Sequence, residues 1–276
     1  MANRLYRLEV APVTTRWLCL AALLGHVVLG LCGTTPARAQ DVPVLAAAAD
    51  LQFALTEVAE AFTKETKREA KLAFGSSGNF LRQIQQGAPF QMFLSADEQF
   101  VRDLAAKGLT EGDGALYAMG RIVIIAPHDS PLKVDGELAD LKAALADGRL
   151  KKFAIANPEH APYGRRAEEA LRHIGVWREI KDRLVFGENV AQAAQFATSG
   201  AAQGGIIAYS LALSPNVSKL GTYALVPETW HQPLNQRMVL LKGAGETARS
   251  FYEFMRGPSA RAIMRRYGFV LPGESS

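Results

Sequence analysis

The stretch VPVLAAAADLQFALTEVAEAFTKE, residues 42–65, decides how the chain is to be read. Residues 42–49 are apolar and mostly short, which predicts a buried strand. From Leu51 onward the apolar residues fall at 51, 55, 58, 59 and 62, the spacing of one helix face. Between the two, Ala46 to Ala49 are small enough to let something approach the backbone. Asp50 stands where a helix N-cap belongs, with its side chain expected to turn back and cap the helix. A buried strand running directly into an amphipathic helix is the building unit of α/β folds.

The same alternation continues outward. Further strands are predicted over 70–74, 92–95, 121–126, 153–156, 184–186, 205–208, 223–226 and 238–241. Helices are predicted over 80–86, 98–107, 138–147, 165–173, 191–199, 247–256 and 258–267, with Gly108 and Gly268 as stops. Strands alternating with helices predict α/β architecture with mostly parallel sheets. A two-lobed molecule would need chain crossovers, and the apolar runs near 121–126 and 223–241 are the natural places for them.

The first forty residues differ from the rest. Arg4, Arg7 and Arg16 precede an apolar run from Trp17 to Leu31, and Ala37-Arg38-Ala39 follows. A basic start, a short apolar run and an Ala-x-Ala site describe a secretory signal peptide over 1–39, cleaved at or near Ala39. The run is too short to span a membrane comfortably. A lipid anchor on Cys32 is disfavoured, because Leu31 before it is not small. Cys19 and Cys32 are the only cysteines and leave with the signal, so the mature chain has no disulfide and no thiolate chemistry.

Of the 276 residues, 31 are Lys or Arg and 27 are Asp or Glu. Four of the basic residues (Arg4, Arg7, Arg16, Arg38) and one acid (Glu9) lie in the signal, which leaves 27 basic against 26 acidic. Such a balance carries no basic patch for nucleic acid.

Three strand-to-helix junctions carry candidate chemistry. The first is Ala46 to Leu51, which read alone is a helix cap. The second, Phe74-Gly75-Ser76-Ser77-Gly78-Asn79, offers free N–H groups and hydroxyls at a helix start, where anions bind. It can equally be a flexible turn whose serine caps the next helix. It misses the final glycine of a serine-hydrolase elbow. The third runs from Asn157 to Arg166, with Tyr163 bracketed by Pro162 and Gly164. Glu159 and His160 there are acid/base or metal material, but no second histidine lies at ligand spacing. All three junctions sit at carboxyl ends of strands, where α/β proteins place ligands. No Gly-x-Gly-x-x-Gly and no Gly-Lys-Ser/Thr is present.

Taken together, several segments resemble the periplasmic molybdate-binding proteins. They are residues 47–51 (Ala47 to Leu51), 74–78 (Phe74 to Gly78), Arg82-Gln83-Ile84 with Gly87-Ala88-Pro89, 93–97 (Phe93 to Asp97), 157–164 (Asn157 to Gly164), Glu188-Asn189-Val190, and the ending Gly257-Pro258 with Arg266-Tyr267-Gly268-Phe269. They occur in one order over residues 41–270. The resemblance implies a two-lobed type II periplasmic binding protein fold with a ligand cleft between the lobes. Lobe one would comprise 40–121 and 227–276, and lobe two 122–226. It further implies a monomeric, periplasmic component of an ABC importer that binds molybdate or tungstate without a cofactor and passes it to a membrane permease.

Carried over, the ligand residues fall on Asp50, Ser77, Tyr163 and Val190. Ser77 acts by its hydroxyl, and Tyr163 and Val190 by backbone N–H groups. Many relatives have Ser or Asn where Asp50 stands, so Asp50 is expected to act by its N–H. A ligand tyrosine of some relatives falls on Ala208, one residue before Tyr209, which leaves Tyr209 as a further candidate. Binding of sulfate, phosphate or phosphonate on the same fold stays open, as does a periplasmic hydrolase using Ser77.

Overall fold

The structure is a computed structural model that describes residues 42–274. The expected signal peptide, its cleavage site and both cysteines lie outside the described residues. In chain order the elements are β1 (Val44–Ala48), α1 (Gln52–Thr66), β2 (Lys71–Gly75), α2 (Ser77–Gln85), β3 (Met92–Ser95), α3 (Glu98–Ala106), β4 (Ala115–Gly120), β5 (Ile122–Pro127), α4 (Ala139–Ala146), β6 (Phe153–Ala156), α5 (Pro162–His173), α6 (Trp177–Ile180), β7 (Leu184–Gly187), α7 (Val190–Thr198), β8 (Gly205–Ala208), α8 (Tyr209–Ala212), β9 (Gly221–Leu225), β10 (Leu234–Leu240), α9 (Glu246–Arg256) and α10 (Pro258–Arg266).

The strands form two five-stranded sheets, ordered β2-β1-β3-β10-β4 and β7-β6-β8-β5-β9. In the first, β1 runs parallel to β2 and β3, whereas β10 runs antiparallel to β3 and β4. In the second, β6 runs parallel to β7 and β8, whereas β5 runs antiparallel to β8 and β9. The expectation of mostly parallel sheets is corrected to mixed sheets. Chain direction explains it: the chain passes from one sheet to the other between β4 and β5 and returns between β9 and β10. The strands delivered by these passages, β5 and β10, run against their neighbours.

Each sheet buries its own core. Against the first, α1 turns Ala54, Leu55, Val58 and Phe62 inward. Phe62 packs edge-on to Phe251 with ring centroids 5.0 Å apart. Fully burying side chains of this size contributes about 1.5–3 kcal/mol each. The second core gathers β5 (Ile122, Val123, Ile124, Ile125), Phe153 and Ile155 of β6, and Leu171 of α5. β5 is buried on both faces, which is why it reads as an unbroken apolar run rather than an alternation.

Strand β4 was not predicted. Its burial runs irregularly, with Leu116 exposed between half-buried Ala115 and buried Tyr117, so it carries no period of two.

Candidate ligand-binding site

The carboxyl ends of strands from both sheets converge on one small cavity. Ala48, Ala49 and Asp50 reach it from β1, Gly75, Ser76 and Ser77 from β2, and Ala96 from β3. From the second sheet come Ala161, Pro162 and Tyr163 after β6, then Asn189 and Val190 after β7. The cavity is about 10 Å³, near the size of one water. A larger groove of about 530 Å³ lies beside it and shares Ala49 and Asn189, but only one of the helix starts named below.

Helix starts supply the polar lining. The first amides of a helix have no acceptor one turn back. In α2 the N-cap is Ser76, the Gly78 N–H donates to the His160 carbonyl at 3.0 Å, and those of Asn79 and Phe80 to the Ser76 carbonyl. That leaves the Ser77 N–H. In α7 the Asn189 side chain accepts from Ala191 and Gln192, which leaves the Val190 N–H. In α5 the first residue is Pro162, without an N–H, so Tyr163 offers the first amide. Three helix N-termini therefore border one cavity with N–H groups that have no partner among the described residues, and with partial positive charge. The Ser77 hydroxyl oxygen accepts from the Ala96 N–H at 3.0 Å, which leaves its own proton to donate elsewhere.

Asp50 departs from its expected role. It lies in a 3-10 turn, Ala49–Leu51, and caps nothing: α1 has Leu51 at its N-cap position and no side-chain cap. The extra turn between β1 and α1 rotates the carboxyl inward, where it is 1% exposed. Its Oδ2 accepts from Gln236 Nε2 at 2.7 Å and from the Tyr163 hydroxyl at 3.0 Å. The Gln236 amide is oriented in turn by the Tyr117 hydroxyl, which donates to its Oε1 at 2.7 Å. Oδ1 has no hydrogen-bond partner among the described residues.

Burial pushes the Asp50 carboxyl up to about 6, against the opposing hydrogen bonds of Gln236 and Tyr163. Burial, then the charge of Asp50, holds both Tyr163 and Tyr117 well above the usual phenol range, so both stay protonated donors. Gly120 makes the cluster possible: a Cβ there would lie 2.2 Å from the Tyr163 hydroxyl.

The two halves are also joined directly. Ser76 Oγ donates to the His160 carbonyl at 2.6 Å. Its single proton is thus used, so the ring Nδ1 of His160, 2.9 Å from Ser76 Oγ, is the donor in that contact. His160 Nε2 lies 3.6 Å from Glu188, and Asn79 donates to the same carboxylate. A Cβ on Gly78 would stand 2.5 Å from the His160 carbonyl oxygen, so only glycine admits this approach.

The structure thus brings Asp50, Ser77, Tyr163 and Val190 around one cavity and leaves Tyr209 out of it. The Tyr209 ring sits beneath Arg121, 4.8 Å from the guanidinium, and its edge fills the space where a Gly268 Cβ would be. The residue of α8 that reaches the site is its neighbour Ser210, whose hydroxyl donates to the Asp50 carbonyl at 2.8 Å. Sequence reasoning missed Gln236 and Tyr117. Gln236 lies among strand residues with no turn or helix start beside it, and only long-range pairing brings it to Asp50. His160 was singled out as acid/base material, and the structure uses its backbone carbonyl and ring to join the halves. Among the described residues no three His, Cys, Asp or Glu side chains are grouped to hold a metal.

Two mixed α/β halves, with helix starts from each facing a shared cavity, define a two-lobed solute-binding protein. Residues 43–270 match the family model of the bacterial extracellular solute-binding proteins, and the chain belongs to that family. It is 36% identical to the molybdate-binding protein ModA of Rhodobacter capsulatus, over 88% of this chain and 93% of the relative. To the ModA of Azotobacter vinelandii it is 34% identical, over 85% and 92%. The solved Azotobacter vinelandii periplasmic molybdate-binding protein superposes with a TM-score of 0.76 at 31% identity, covering 83% of this chain and 99% of that one. The sulfate-binding protein SubI of Mycobacterium tuberculosis shares the fold, with a TM-score of 0.70 at 14% identity.

Proposed function

We propose that this chain is the extracytoplasmic binding component of an ABC importer, and that it captures molybdate or tungstate and delivers it to a membrane permease. The observation that carries this reading is the convergence of the Ser77, Tyr163 and Val190 amides and the Ser77 hydroxyl on one buried cavity. Neutral donors of this kind hold an oxyanion by charge-assisted hydrogen bonds, each worth about 1.5–3 kcal/mol. The ligand residues are Asp50, Ser77, Tyr163 and Val190, with lobe one formed by 40–121 and 227–276 and lobe two by 122–226.

The cavity is smaller than a tetrahedral oxyanion. Entry therefore requires the lobes to part by a hinge motion and close again over the ligand. The protein acts as a monomeric carrier without catalysis, reached through secretion directed by residues 1–39. Support for the ligand comes from the relatives in Rhodobacter capsulatus and Azotobacter vinelandii, which are molybdate-binding proteins.

Thermal unfolding with molybdate, tungstate, sulfate and phosphate in parallel tests the assignment. A ligand that binds only the folded state adds about 2.7 kcal/mol at a hundredfold excess over Kd. Molybdate and tungstate are expected to give the largest shifts. A larger shift with sulfate or phosphate refutes the assignment, and phosphate is the informative rival because it carries a proton that the Asp50 carboxylate could accept.

A further inference from the structure

We infer that Asp50 makes oxyanion capture a proton-coupled event, in which one proton taken from solvent is held between Asp50 Oδ1 and an oxygen of the bound anion. The inference rests on the reading of the cavity as the oxyanion site.

The hydrogen-bond pattern points to it first. Oδ2 accepts two donors, from Gln236 and Tyr163, while Oδ1 has no partner among the described residues. Two donors on one oxygen and none on the other is the pattern of a carboxylic acid, whose carbonyl oxygen accepts and whose hydroxyl oxygen donates. Asp50 is one of the residues lining the cavity, so an anion held there lies on the side where that hydroxyl can find an acceptor.

Charge points the same way. The neighbours that face the carboxyl are neutral: Tyr163 from α5, Tyr117 from β4, Gln236 from β10 and, at the Asp50 carbonyl, Ser210 from α8. The helices α1 and α7 and strand β2 also pack against the 3-10 turn, yet no charged group acts on the carboxyl. A carboxylate and an oxyanion dianion side by side, with no cation beside them, repel, and the repulsion favours uptake of a proton by the pair. Burial already holds the empty site near the point of protonation, at about 6. The anion's charge carries the carboxyl above that. The proton comes from water, no covalent bond to the anion forms, and the bound charge is that of the anion alone.

Titration calorimetry of molybdate into the mature protein, repeated in buffers of different ionisation enthalpy, counts the protons. From a free-site value of about 6, linkage gives uptake of about one proton per molybdate at pH 8, falling to about half near pH 6. Over the same range Kd weakens about tenfold per pH unit once the pH is well above 6. Asp50→Asn is expected to bind with no proton uptake and with a Kd that is flat from pH 6 to 8. Should that variant not fold, the wild-type buffer series decides alone. Wild-type binding with no uptake and a flat Kd overturns the inference and leaves the oxyanion reading standing. Failure to bind molybdate at any pH overturns both.

Discussion

Replacing Asp50 by Asn should stabilise the ligand-free protein, and by an amount that grows with pH. The carboxyl is raised from 3.8 to about 6 in the folded state. The folded protein thus holds this proton more tightly than the unfolded chain does. Stability associated with the neutral acid is fully present below 3.8 and is lost as the pH rises through about 6. The shift of roughly two units, at 1.36 kcal/mol each, amounts to about 3 kcal/mol above pH 7. Asparagine keeps an oxygen for Gln236 and Tyr163 but cannot ionise. Urea unfolding of both proteins without ligand should therefore give curves whose separation at pH 8 exceeds that at pH 4 by about 2.5 kcal/mol, or roughly 5–10 °C in Tm for a chain of this size. Taking the difference between variants cancels every other titrating group. Two pH–stability curves that run parallel from pH 4 to 8 would show that Asp50 is not destabilised by its burial.

Ser77→Ala should weaken molybdate binding about ten- to hundredfold, because a hydrogen bond to a charged partner is worth about 1.5–3 kcal/mol. It should also lower ligand-free stability by about 1–3 kcal/mol, since the buried Ala96 N–H loses its acceptor; calorimetry beside an unfolding curve separates the two, and unchanged affinity removes Ser77 from the site. Gly78→Ala drives a methyl group into the His160 carbonyl, so closure should be penalised by about 1–3 kcal/mol, read as a five- to 150-fold weaker Kd. Small-angle scattering should show an unliganded variant more open than the wild type, and identical scattering with identical Kd refutes a role in closure for the contact between Gly78 and the His160 carbonyl.

The parts of the site legible in the sequence were those built by adjacent residues. A strand end followed by small residues and a helix start announces itself locally, and the loops around Asp50, Ser77 and Tyr163 were found that way. Val190 came from resemblance, and its neighbour Asn189 proves to be the cap that leaves its amide unused. The role of Asp50 was not legible. A single 3-10 turn decides whether its carboxyl caps α1 or turns inward, and nothing in Ala49-Asp50-Leu51 announces that turn. Its partners Tyr117 and Gln236 arrive from β4 and β10, across separations no local pattern spans. Tyr209 follows the end of β8 and packs its ring beneath Arg121 rather than lining the cavity, while the hydroxyl of Ser210 approaches Asp50 instead. Strand direction was equally hidden, because hydrophobic runs such as 122–127 read the same whichever way their neighbours point.

The order β2-β1-β3-β10-β4 has a bearing on how the molecule comes to be made. Strands β5 to β9 lie contiguously in residues 122–225, so the second sheet has all its members as soon as that segment is available. The first sheet does not. Strand β4 is joined to it only through β10, and the Asp50 cluster waits for Gln236 on that strand. Contacts closed over such long separations form late and slowly. A chain that has emerged through β9 thus carries one finished half and one unfinished half with an unpaired β3 edge. Residues 234–240 are the keystone of assembly: the hydrogen-bonded cluster around Asp50 cannot form, even transiently, until the last strand is in place.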